Sequence, residues 1–146
     1  MDTVEDGRYP ERPRVAVGAV VFKDDRVLLV ERGKPPSAGT WAIPGGSVQL
    51  GEPLRQAAER EVLEETGVVI RAVEPVLTFE AIETDAGGRV RFHYVIVDLA
   101  AEHLDGEPRA SSDAAAARWV SADELPQLNV NRKTRELLKN RFGFGT

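Results

Sequence analysis

The residues best suited to chemistry lie in one acidic stretch near the middle of the chain. Glu61, Glu64 and Glu65 are spaced i, i+3 and i+4 within PLRQAAEREVLEETG, a segment whose Leu, Ala, Glu and Arg content favours a helix. At about 100° per residue, the three carboxylates fall within about 100° of arc, where like charges repel. Hard oxygen ligands at this spacing suit Mg²⁺ or Mn²⁺, so the stretch predicts a divalent-metal site.

The alternative interpretation of this stretch is a solvated acidic surface, and two features weaken it. The acidic arc overlaps the apolar positions Leu54, Ala58 and Val62, which should pack inward. The acids also stand at the C-terminal end of the helix, where the macrodipole disfavours negative charge. A bound cation relieves both penalties. Arg60 is placed to pair with one of the acids and to hold its orientation.

A glycine-rich turn precedes the acidic helix. Gly45 and Gly46 follow the short extended stretch WAIP, and the absence of a Cβ lets backbone carbonyls come close to a cation. The loop after the glycines delivers Glu52 to the start of the helix. The whole segment reads Gly46-x5-Glu52-x7-Arg60-Glu61-Val62-x-Glu64-Glu65-x-Gly67-Val68.

This segment resembles the Nudix box, with every defining position matched. The order of strands and helices around it also fits that family over most of residues 14–140. The resemblance implies an α/β fold, a Nudix-type α/β/α sandwich with a mixed β-sheet between helices. It further implies Mg²⁺-dependent hydrolysis of a nucleoside diphosphate linked to another moiety, which yields a nucleoside monophosphate and a phosphorylated remainder.

The resemblance assigns a metal cage to the box. It implies that Glu61, Glu64 and Glu65 supply the metal carboxylates and that the carbonyl oxygen of Gly45 completes the set, with Mg²⁺ as the cation and Mn²⁺ as a substitute. Members of the family differ in which acid takes the proton of the attacking water. Glu61 is therefore either a metal ligand or the general base.

Three further residues have catalytic counterparts in the family. Glu52 resembles its auxiliary acid, and Arg60 resembles its orienting residue. Relatives often carry another acid in a loop before a late Trp-containing strand. Asp113 stands six residues before Trp119, so it is either that acid or the cap of a loop turn.

The substrate is less well defined by these residues than the chemistry is. The general character of RVLLVERGKPP before the box and WVSADELPQL after it is similar to small ADP-ribose hydrolases, so ADP-ribose or a related nucleotide sugar is the expected substrate. The alternative is an oxidised nucleoside triphosphate, as in MutT-type enzymes. A non-catalytic nucleotide-binding module is disfavoured because all the box acids are present. Phe79 or Tyr94 could stack on the base.

The remaining elements must hold this site in place. β-Branched and apolar runs predict a hairpin of two strands before the box and two strands after it, the second pair around the turn at 85–88. A small-residue loop, a short strand, a capping box at 121–124 and a final helix follow. The bounds are Val15–Phe22, Arg26–Glu31, Val68–Glu83, Arg89–Ala100, Ser111–Ala117, Arg118–Val120 and Arg132–Arg141.

Length and composition limit the remaining possibilities. The 146 residues predict a loose N-terminal arm at 1–13 and one domain at 14–146. A net charge of −5 argues against nucleic acid as a partner, and no apolar run is long enough for a membrane span. Zero cysteines exclude disulfides and thiolate metal sites. We expect a cytoplasmic protein that binds a small nucleotide, with a homodimer expected only from its relatives.

Overall fold

The computed structural model of the protein describes residues 7–33, 38–111 and 114–145. Asp113, one of the candidate acids, lies outside the described residues. Seven strands and two α-helices account for most of the described chain, and a short 3₁₀ helix at Leu125–Gln127 precedes the second α-helix. The elements are β1 (Arg14–Lys23), β2 (Arg26–Arg32), β3 (Trp41–Ala42), β4 (Gly45–Ser47), α1 (Leu54–Thr66), β5 (Val69–Thr84), β6 (Val90–Asp105), β7 (Ala114–Ser121) and α2 (Arg132–Phe142).

The strands form one mixed sheet. Its main path runs β3-β2-β1-β6-β5, with β4 paired to β1 and β7 paired to β2. The β1–β6 pair is parallel and the other strand pairs are antiparallel. A parallel pair next to antiparallel ones needs a crossover, and α1 together with β5 lies on the chain between β1 and β6.

The predicted hairpin forms, but its strands separate soon after the turn. Asp24 and Asp25 both have positive φ, 50° and 61°, as a tight two-residue turn with the twist of the strands requires. The β1–β2 register covers only Phe22↔Val27 and Lys23↔Arg26. Beyond those pairs β3 bonds to β2 and β4 bonds to β1. The divergence of the two strands therefore makes room for the glycines that begin the box.

A helix covers each face of the sheet. On one face Ala57, Ala58 and Val62 of α1 pack against alternate residues of β1, including Val17 and Ala19. On the other face the α2 residues Leu137 and Leu138 pack with Val20, Val27, Leu29 and Val120. Side chains alternate between the faces of a strand, so β1 contributes to both cores. The predicted α/β/α sandwich with a mixed sheet is confirmed. Neither described helix has the length and apolar character of a membrane span.

Helix α1 is held by a contact from its middle to β5 and by a cap at its C-terminus. Glu59 accepts a hydrogen bond from the backbone N–H of Ala72 on β5, at 2.9 Å. At the C-terminus Thr66 donates to the carbonyl oxygen of Val62 at 2.7 Å, and Gly67 closes the helix with a φ of 79°. The acidic face of the helix is consequently fixed relative to the sheet.

Strands β6 and β7 both extend further toward each other than the sequence predicted. Strand β6 continues to Asp105, and β7 begins at Ala114, so the prediction of a loop throughout Ser111–Ala117 was wrong. Alanine has weak strand propensity on its own. Here the alanines pair with Val30, Glu31 and Arg32 of β2, and this ladder decides their conformation. The capping box at 121–124 is confirmed, since Ser121 N–H donates to Glu124 and Glu124 N–H donates to Ser121 Oγ.

Candidate active site

The site is centred where β4 meets the acidic face of α1. Gly18 and Gly45 are opposed in the β1–β4 ladder, while the neighbouring pair Ala19 and Pro44 is hydrogen-bonded. Pairs alternate in an antiparallel ladder, so Gly45 belongs to a non-hydrogen-bonded pair and its N–H and C=O point away from β1. Its N–H donates to Glu65 Oε1 at 3.1 Å. The carbonyl oxygen of Gly45 is directed to the same side, toward the helix.

Glu61 lies directly against Gly46. A Cβ built on Gly46 would overlap the carboxyl group of Glu61, so a glycine is required for the close approach of β4 and α1. The side chain of Glu61 is 20% exposed. Burial raises the pKa of Glu61 above its usual value, and the nearby Arg60 opposes that rise only in part. A positive charge nearby would therefore favour the ionised form of this carboxylate.

Arg60 contacts three of the box acids. Its guanidinium pairs with Glu52 at 2.7 Å, and its Nη1 contacts both Glu61 and Glu64 at 3.1 Å. Its Nη2 also donates to the carbonyl oxygen of Ser47 at 3.0 Å. The planar fork of arginine makes these simultaneous bonds possible. Arg60 thus ties the glycine loop, the start of α1 and the acidic cluster together, which confirms the prediction that it pairs with a box acid.

Glu52 is fully engaged by its neighbours. Both of its carboxylate oxygens accept from Arg60, and Oε1 also accepts from the backbone N–H of Gln49. Arg60 and that backbone N–H lower the pKa of Glu52 to about 2. A carboxylate with such partners stays ionised and holds the loop at 47–52 against the helix.

The donor set fits a hard divalent cation, although the acids do not converge on one point. Within the described part of the chain, no three acidic or histidine side chains are gathered closely enough to hold a metal. Glu61 and Glu64 are instead both within hydrogen-bond distance of Arg60. Carboxylate oxygens beside an outward-facing glycine carbonyl are nevertheless the ligand types that Mg²⁺ prefers, and Glu64 is half exposed. The residues present therefore suit the cation.

Most of the candidate residues are brought together. The list comprises Gly45, Glu52, Arg60, Glu61, Glu64 and Glu65, all at the β4–α1 junction. Sequence reasoning missed the role of the Ser47 carbonyl as an Arg60 acceptor, because a backbone acceptor leaves no trace in residue type. It also missed Asp98, which lies buried on β6. A single acid within a strongly apolar strand was the available signal.

Comparison with known proteins identifies the family to which this chain is similar. The NUDIX domain family model matches residues 12–140. An ADP-ribose pyrophosphatase from Methanocaldococcus jannaschii is 34% identical over 116 residues, covering 80% of this chain and 66% of that protein. An oxidized purine nucleoside triphosphate hydrolase from Danio rerio is 32% identical over 114 residues, covering 73% of this chain and 65% of that protein. The chain thus spans slightly less than two thirds of the length of these two relatives.

A solved structure agrees over nearly the whole chain. The MutT NUDIX hydrolase from Burkholderia pseudomallei superposes with a TM-score of 0.75 at 36% identity, covering 90% of this chain and 99% of that one. With its acidic helix, its glycine strand and its two-faced core, the chain belongs to the Nudix hydrolase family.

Proposed function

We propose that this chain is a Mg²⁺-dependent pyrophosphohydrolase that cleaves ADP-ribose or a related nucleotide sugar into a nucleoside monophosphate and a phosphorylated remainder. The observation that carries the proposal is the close approach of Glu61 to Gly46, beside an outward-facing Gly45 carbonyl. It brings carboxylate oxygens of a helix and a carbonyl oxygen of a strand to one junction, which supports the proposal of a cation site there. The relative that is named for ADP-ribose supports this choice of substrate.

The box carboxylates and one carbonyl would hold the cation. Glu61, Glu64 and Glu65, with the carbonyl oxygen of Gly45, are the proposed ligands. A bound Mg²⁺ supplies positive charge to the phosphoryl oxygens on which negative charge develops. Glu61 is alternatively the group that takes the proton of the attacking water.

Arg60 and Glu52 are proposed to act as positioning residues. Their paired contact joins the loop at 47–52 to the helix, and the same guanidinium reaches Glu61 and Glu64. Catalysis of this kind depends on positioning and charge rather than on covalent chemistry, so the orientation of these acids matters. Asp113 is retained as a candidate acid on the basis of the family resemblance alone.

A substrate panel tests the proposal. The purified protein would be assayed with Mg²⁺ against ADP-ribose, other nucleotide sugars, dinucleotides and nucleoside triphosphates, including oxidised purine nucleotides. We expect kcat/KM to be highest for ADP-ribose or a close analogue, with AMP and ribose 5-phosphate as the products from ADP-ribose.

Two other outcomes of the panel would replace this proposal. A higher kcat/KM for an oxidised purine nucleoside triphosphate would favour the second candidate function, hydrolysis of oxidised nucleoside triphosphates. The similarity to the Danio rerio protein supports that candidate. No turnover of any compound, together with measurable nucleotide binding, would favour a non-catalytic binding module.

A further inference from the structure

One buried acid plays no part in the proposed metal site. Asp98 lies in the middle of β6 with only 5% of its surface exposed. Among the described residues its carboxylate has no hydrogen-bond or ion-pair partner. Burial alone raises the pKa of Asp98 to about 6. An ionised carboxylate that is buried without a partner is costly, and such a group calls for a functional explanation.

The carboxylate of Asp98 occupies space that a glycine leaves free. Gly18 on β1 is paired with Asp98, and a Cβ built on Gly18 would overlap Asp98 Oδ1 and crowd the Cδ1 of Ile43. On its other side Asp98 is paired with Leu77 of β5. Ile43 and Leu77 both pack against the α2-side core, which places Asp98 on that face of the sheet.

The carboxylate also retains a narrow access to solvent. Among the residues that the structure describes, Arg91 Nε is the one fully enclosed side-chain polar atom without a partner. The unpaired oxygens of Asp98 are therefore not completely enclosed. Phe79 and Ile96, which lie one position further along the same face, are only half-buried. The approach to Asp98 thus runs over an incompletely covered apolar part of the sheet.

The position of Asp98 matches the length of a nucleotide held at the box. Gly18 is paired with Asp98 on one side and with Gly45 on the other. Neighbouring strands lie about 4.8 Å apart, so Asp98 and Gly45 are separated by about 10 Å across the sheet. A nucleotide whose phosphates lie at Gly45 can reach this distance with its base.

We propose that Asp98 is a specificity-determining residue, which accepts a hydrogen bond from an amino group of the substrate's nucleobase on the sheet face beside Gly18, Ile43 and Leu77. The inference rests on the proposed function in taking the substrate to be a nucleotide. An acceptor-only carboxylate selects for N–H donors, and an apolar surround makes an unmatched base costly to bind. Phe79 and Tyr94, the predicted stacking candidates, belong to the same face of β5 and β6.

The proposal is tested by measuring nucleotide binding with titration calorimetry. Two pairs of nucleotides are used, and the two members of each pair differ by one amino group on the base. AMP is compared with purine riboside 5′-monophosphate, and GMP with IMP. We expect the wild-type protein to bind the amino-bearing member of at least one pair about tenfold or more tightly, as a hydrogen bond to a charged group predicts. Asp98→Ala should reduce that ratio to about one. Asp98→Asn, which keeps one acceptor oxygen, should retain more of the ratio.

A matched control and a second readout separate the possible failures. Asp105→Ala removes an exposed acid from the same strand and should leave the ratio unchanged. The role of Asp98 would be overturned if Asp98→Ala kept the wild-type ratio of affinities between the members of a pair. It would also be overturned if that ratio were about one in the wild-type protein. Turnover of ADP-ribose is measured in the same preparations. Base discrimination without turnover would overturn only the proposed hydrolase, and turnover without base discrimination would overturn only the role of Asp98. The absence of both turnover and nucleotide binding would overturn both.

Discussion

At the residue scale, one arginine organises the acidic cluster. Arg60 faces Glu52, Glu61 and Glu64, so a single positive charge is set against three carboxylates. The local excess of negative charge is what a divalent cation would offset. The spacing of the acids predicted this cluster directly. Which of these acids pair with Arg60 was not predictable from the sequence, because the pairing depends on which carboxylate oxygens the guanidinium reaches.

Replacing Arg60 with lysine should separate its charge from its geometry. Arg60→Lys keeps the positive charge but loses the planar fork that reaches Glu52, Glu61 and the Ser47 carbonyl together. We expect kcat/KM to fall by about 10- to 100-fold, the usual effect of removing an orienting partner of a metal ligand. Arg55→Lys, on an exposed position of the same helix, is the matched control. Equal activity of the two variants would contradict the positioning role.

Glu52 should contribute an acid-sensitive part of the stability. Its folded-state pKa of about 2 lies below the ordinary value of 4.5, so its contribution is complete above about pH 4.5 and is lost as the pH falls toward 2. Glu52→Gln cannot titrate. Denaturant melts between pH 5 and pH 2 should therefore show a shallower loss of unfolding free energy in the variant. Superimposable pH profiles would show that Glu52 is not held by Arg60 in solution.

At the element scale, the close approach of β4 and α1 positions Glu61 in the proposed site. The box could be recognised from residue types, and helix α1 was predicted nearly to its ends, since Gly67 terminates it as expected. The insertion of β3 and β4 between the diverging β1 and β2 could not be predicted, because strand pairing depends on residues far apart in the chain. The early start of β7 was missed for the same reason.

Gly46→Ala tests whether activity depends on the close approach of β4 and α1. The new methyl group would overlap the Glu61 carboxyl group and displace it, while the backbone of Gly46 has no positive φ and tolerates alanine. We expect kcat/KM to fall by roughly 100-fold, as a misplacement of about 1 Å can cause, with little change in melting temperature. Gly87→Ala, in the β5–β6 turn with no contact nearer than 3.5 Å, is the control. Normal activity of Gly46→Ala would remove Glu61 from the site.

At the scale of the whole molecule, the proposed cation-binding acids and the proposed base-recognising Asp98 lie on opposite faces of the sheet. Helix α1 presents the acids on one face, and Asp98 lies on the other with α2. The class of fold followed from the order of elements and from the family resemblance. The second face was beyond sequence reasoning, because the importance of Gly18 and Asp98 arises only from their pairing across strands. The expected homodimer stays a prediction.

The dependence of hydrolysis on a cation held by the box acids is the central claim, and one measurement tests it most directly. The protein is stripped with EDTA and assayed with ADP-ribose before and after Mg²⁺ is restored, beside the Glu64→Gln/Glu65→Gln double variant. We predict that AMP and ribose 5-phosphate form only in the wild type with Mg²⁺, and that the folded double variant is at least about 100-fold slower. Undiminished turnover in EDTA, or in the double variant, would contradict the account.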